Sequence, residues 1–140
     1  MDVFDRMLAL AREGYDCAQI MLTPALDMDG KSAPDLVRAM GGPSLGVAGG
    51  GDICGALSGG ACLLAYFAGR RAPGEQPPPQ LGEMYASLRE WFSEYTAGYG
   101  GGSCRCILAG DERNRVMRCP LVVQAVFEKC CGLLEMNGVL

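Results

Sequence analysis

No stretch of this chain alternates apolar and polar residues with the period of a strand. Its apolar residues instead recur at three- and four-residue steps, between dense runs of glycine. That pattern points to helices joined by glycine-rich loops. Over residues 3–26, Phe4, Leu8, Ala11, Tyr15, Ala18 and Leu22 share one face, and Gly14 marks a bend or break just ahead of Cys17. Ser32-Ala33-Pro34-Asp35 reads as a helix start leading to about Met40. Residues 41–51 are dominated by glycine, and Asp52 is a candidate N-cap for a helix over about 53–68. Inside that helix Gly55, Ala56, Gly59 and Gly60 form a small-residue stripe. Such a stripe lets another backbone come close, at a cost of ~1 kcal/mol per glycine, so this helix is expected at the centre.

Beyond the linker 72–80 the apolar pattern resumes at Leu81, Met84, Tyr85, Leu88, Trp91, Phe92 and Tyr95 and stops at Gly98. A second glycine loop, Gly100 to Gly102, leads to Cys104. A last helix begins at Pro120 and carries Val122, Val126, Cys130 and Leu133. The expectation is a single all-α domain over 1–140, a compact bundle of about five helices with glycine-rich connecting loops.

The chain has eight cysteines and no histidine, so sulfur must carry any metal or redox chemistry. Net charge is −4 and the only basic doublet is Arg70-Arg71. Nucleic acid is therefore not an expected partner, because phosphate binding needs a basic stripe. The first residues are charged and amphipathic, unlike a secretory signal, and the apolar stretch Ile53 to Ala68 is too short and too glycine-rich to span a bilayer. The reading is a cytoplasmic protein with no membrane span. Thiols stay reduced there, which favours metal ligation or redox cycling over structural disulfides. There is no C-x-x-C pair, no Gly-Lys-Ser/Thr ending of a P-loop, and no histidine for a serine-type triad.

Four cysteines stand beside helix-start or glycine signals: Cys17, Cys54, Cys104 and Cys119. Cys54 follows Asp52 by two residues, Cys104 follows Ser103, and Cys119 precedes Pro120. A helix start carries roughly +0.5 charge and free N–H groups, so the expectation is a thiol pKa lowered toward thiolate. The glycine loops let further N–H groups approach sulfur, and Gly55 joins the candidate cofactor-binding residues. Cys62 lies about 12 Å along the same helix from Cys54, too far to share a ligand, and reads as core. Cys130 and Cys131 are adjacent on a helix and diverge. Cys106 reads either as a spare ligand or as a partner of Cys104.

The order and neighbourhood of these cysteines resemble the redox-active protein family named for its pattern, C_GCAxxG_C_C. The match lies in Gly14-Tyr15-Asp16-Cys17-Ala18-Gln19, Cys54-Gly55-Ala56-Leu57-Ser58-Gly59, Cys104-Arg105 and Cys119-Pro120. The resemblance implies a small helical protein, common in anaerobic bacteria and archaea, with a role in electron transfer. Carried over by position, its four family cysteines are Cys17, Cys54, Cys104 and Cys119, while Cys62, Cys106, Cys130 and Cys131 are additions. The first reading is an iron–sulfur protein, [2Fe–2S] or [4Fe–4S], ligated by those four and passing electrons to a redox partner protein. It is more an electron carrier than a stand-alone enzyme. A second reading is thiol–disulfide exchange, pairing Cys54 with Cys119 or Cys17 with Cys104. A third is a non-redox scaffold, with cysteines in the core or on a structural zinc. The glycine-lined helix and the Trp91 face leave a homodimer open.

Overall fold

The computed structural model describes residues 2–140. The helices are α1 (Val3–Arg12), α2 (Cys17–Met28), α3 (Pro34–Ala39), α4 (Gly55–Ala68), α5 (Pro79–Tyr95), α6 (Cys104–Leu108), α7 (Asn114–Met117) and α8 (Cys119–Met136). A short 3-10 turn, Ala97–Tyr99, follows α5. The described residues contain a single isolated β-bridge, Ile53 to Ser103. The all-α expectation holds, but the five expected helices are not the five long ones observed. The first apolar face is two helices rather than one, α3 is a minor element of 6 residues, the helix start expected at Ser103 and Cys104 is the short α6, and α7 was not anticipated.

The break between α1 and α2 has a local cause. Gly14 adopts φ +96°, a conformation that a side chain resists. The Tyr15 N–H then returns to the Leu10 carbonyl at 3.1 Å. Asp16 opens α2, its N–H bonded to Gln19 Oε1 at 3.0 Å, which is one half of a capping box.

Helix α4 lies at the centre, against α2, α5 and α8. The small-residue stripe does what its composition implies. A Cβ on Gly59 would stand 2.9 Å from Met21 Cβ and 3.1 Å from Ala18 Cα on α2. One on Gly60 would stand 2.7 Å from Val126 Cγ1 and 3.1 Å from Cys130 Sγ on α8. Around this contact a single apolar cluster gathers Met21, Leu22, Leu63, Leu64, Met84, Leu88, Phe92, Val126 and Leu134, all essentially excluded from water.

The loop before α4 is held in an unusual path. Five successive residues from Leu45 to Gly49 take left-handed φ angles between 51° and 77°. Leu45, Val47 and Ala48 are not glycines, so this costs roughly 1–2 kcal/mol at each. Long-range bonds hold it: the Cys104 N–H donates to the Asp52 carbonyl at 2.7 Å, and the Arg105 N–H to the Gly51 carbonyl at 3.0 Å. Arg105 Nη2 adds a bond to the Gly50 carbonyl at 3.0 Å. Asp52 is thus not the cap of α4. Its backbone ties the two glycine loops together, and Cys54 takes the N-cap position. Among the described residues no helix is long and apolar enough to cross a membrane.

The glycine stripe makes a direct prediction. Gly59→Ala should lower the urea midpoint by the equivalent of about 1–3 kcal/mol, because the new methyl meets backbone that cannot yield. Gly82→Ala on α5, where an added Cβ meets nothing within 4 Å, should raise stability by up to ~1 kcal/mol.

Candidate functional site: four cysteines at four helix starts

Each motif cysteine stands at the start of a different helix. Cys17 is the first residue of α2, Cys54 caps α4, Cys104 opens α6 and Cys119 opens α8. Ser103 is the cap of α6, its Oγ accepting the Cys106 N–H at 3.0 Å. Pro120 occupies the first turn of α8, where its missing N–H costs nothing.

The fold brings these starts together. α4 on α2 sets Cys54 beside Cys17, and the Ile53–Ser103 bridge sets Cys104 beside Cys54. α8, packed on α1, α2 and α4, delivers Cys119. All four cysteines line one cavity of about 160 Å³. Its other walls are mainly apolar, among them Met7, Ile20, Leu45, Ile107 and Val123. Tyr15, Asp16 and Arg115 are its polar members. Gly55 also lines it, and a Cβ there would displace Cys17 Sγ.

The remaining cysteines lie elsewhere. Cys130 is buried and points its thiol at the Gly60 carbonyl at 3.5 Å. Cys62 and Cys131 are half-buried against the core. Cys106 is half-buried, faces Gly101 and is not among the residues lining the cavity. All eight thiols are free. Among the described residues, no three Cys, Asp or Glu side chains gather tightly enough to hold one metal ion.

The electrostatics correct one expectation. Burial, reinforced by Cys17 and Cys119, pushes the Cys54 thiol up to about 12, and the N–H groups of Ala56 and Leu57 offset this only in part. Burial, with Cys17 and Cys104 nearby, pushes Cys119 to about 11. Cys104 is also raised, by burial first, with Arg115 opposing. The start of α4 does present N–H groups to Cys54, but desolvation of the charged form is larger. Without a compensating cation, these three sulfurs stay protonated at neutral pH.

Sequence reasoning missed Arg115. It belongs to a helix of 4 residues, too short to give a periodic signal. Tyr15 was read as a member of the α1 face, whereas it stands in the break before α2 and borders the cavity.

A family model described as Putative redox-active protein (C_GCAxxG_C_C) matches residues 15–133, and the chain belongs to that family. No curated protein and no solved structure matches the chain significantly.

The raised thiol pKa values fix the sign of a pH effect. An unfolded cysteine ionises near 9.0, whereas folded Cys54 does so near 12. Its stabilising contribution is complete below about pH 9 and is lost as pH rises toward the folded value. The urea midpoint of the metal-free protein should therefore fall between about pH 8 and 10.5. Cys54→Ala should make that fall shallower by about 1 kcal/mol at pH 10. Equal steepness in the two proteins would contradict this account of Cys54.

Proposed function

We propose that this member of the C_GCAxxG_C_C family is a small iron–sulfur protein in which Cys17, Cys54, Cys104 and Cys119 hold one cluster and serve one-electron transfer to a redox partner protein. The observation that carries this reading is the common cavity. Four sulfurs from four helix starts, spread over a hundred residues of chain, face the same 160 Å³ space.

The donor set fits such a group. Four thiols and no imidazole are the ligands of all-cysteine clusters. Among the described residues no three of these side chains gather for one metal ion, so the geometry lends no support to a structural zinc. Gly55 leaves room where a methyl would displace Cys17. The cluster, when bound, would supply reversible one-electron chemistry. The chain's own part is to gather the ligands, exclude water with Met7, Ile20, Ile107 and Val123, and present the N–H groups of Ala56 and Leu57 at the start of α4 to the Cys54 sulfur. Metal binding requires thiolates, so loading would release protons from Cys54, Cys104 and Cys119.

The raised thiol pKa values weigh against the exchange reading. An attacking sulfur must be ionised, and Cys54 and Cys119 are poor candidates in their buried state.

Anaerobic reconstitution with iron and sulfide tests the proposal. The expected product is brown, with iron and acid-labile sulfide in matching amounts. Serine at any of Cys17, Cys54, Cys104 or Cys119 should cut cluster yield several-fold, whereas Cys62→Ser and Cys106→Ser should retain it. Colourless protein without iron, or a cluster indifferent to all four substitutions, would overturn it.

A further inference from the structure

Arg115 is the only basic side chain among the described residues lining the cysteine cavity, and Asp16 is the only acidic one. The neighbouring arginines have other work. Arg105 binds the Gly50 carbonyl, and Arg118 binds the Ile107 carbonyl at 3.1 Å while lying 4.9 Å over the Tyr99 ring. Arg113 turns away to Asp111 at 2.8 Å. Arg115 instead pairs through Nε with Glu112. That pairing steadies the side chain and leaves the two terminal nitrogens of the guanidinium unclaimed by Glu112. The side chain is 38% exposed, so it stands at the rim, between cavity and solvent. Its charge is felt at both Cys104 and Cys119. On its cavity side the guanidinium faces mostly apolar walls, where water screens its charge less than on its solvent side.

We propose that Arg115 is a positioning cation that makes the mouth of this cavity selective for anions, the thiolate-ligated cluster among them. The pairing with Glu112 sets how much of its charge the cavity receives. The selectivity itself rests only on the rim geometry. Its bearing on a cluster rests on the function proposed above.

Two disulfide reagents of opposite design test this on the metal-free protein. In each, the cysteine thiolate attacks the reagent disulfide, a mixed disulfide forms, and an aromatic thiolate leaves. Dithiobis(nitrobenzoate) is dianionic and dithiodipyridine is neutral. Both are attacked by the same thiolate, so the ratio of their rates at Cys104, read by peptide mass spectrometry, cancels the ionised fraction and reports the local field. At low salt, Arg115→Gln should lower the anionic-to-neutral ratio about fivefold, and Arg115→Lys should restore most of it. Glu112→Gln should raise the ratio. Arg113→Gln removes the same charge outside the cavity and should change it little. Mere loosening of α7 would speed both reagents alike and leave the ratio unchanged.

An unchanged ratio in Arg115→Gln, or a fall matched by Arg113→Gln, would overturn the proposal. If Arg115→Gln does not fold, Arg115→Met takes its place: a lowered ratio supports the proposal and an unchanged one overturns it. On reconstituted protein, Arg115→Gln should also shift the reduction equilibrium about tenfold toward the oxidised form, or about 59 mV. Failure to form any cluster would overturn the iron–sulfur reading and leave the rate-ratio test intact.

Discussion

The backbone of α4 lies against α2 with no side chain at Gly55 or Gly59 to hold it away. At Gly59 the gap is too small for a methyl, with Ala18 Cα and Met21 Cβ already in the way. At Gly55 the space that a methyl would take belongs to the Cys17 sulfur. One close approach therefore packs the core and brings two of the four sulfurs together. The glycines cost helix propensity, and the exchange is for contact that larger residues would forbid. The other two sulfurs arrive by different means. Cys104 is drawn in by the bonds between the two glycine loops, and Cys119 by the packing of α8.

Bringing the sulfurs together in an apolar pocket creates an electrostatic tension. Cys54, Cys104 and Cys119 are partly surrounded by carbon and by other sulfurs, so these three resist ionising. The N–H groups of Ala56 and Leu57 at Cys54, and the guanidinium of Arg115 at Cys104 and Cys119, oppose that resistance without overcoming it. A site of this kind is stable when its sulfurs are protonated, or when a positively charged core satisfies them together. The left-handed path from Leu45 to Gly49 belongs to the same arrangement. Leu45 forms part of the cavity wall, and the strain at Leu45, Val47 and Ala48 is borne because the loop is bonded at its far end to the start of α6.

What could be read in the sequence is what local chemistry decides. Gly14 as a break, Ser103 as a cap, Pro120 as a first-turn residue and the stripe from Gly55 to Gly60 each act within a turn or two, and each is found as expected. The same is true of Cys54, Cys104 and Cys119 at helix starts, whereas the place of Cys17 at the start of α2 was not recognised. The misreadings share a cause. Asp52 resembles a cap, but its partner is the N–H of Cys104, fifty residues away in a second loop. The lowered thiol pKa follows from the helix start alone, whereas the actual sign is set by burial, which only the assembled bundle supplies. Arg115 has no neighbour in sequence that marks it, and α7 is too short to show a face.

The claim at the centre of this account is that one occupant joins four distant helix starts through sulfur. Iron K-edge X-ray absorption on the anaerobically reconstituted protein reads this most directly, because it reports the atoms around the metal. The account predicts a first shell made only of sulfur, together with scattering from a second iron atom. A shell of nitrogen and oxygen, or a lone iron with no metal neighbour, would contradict it.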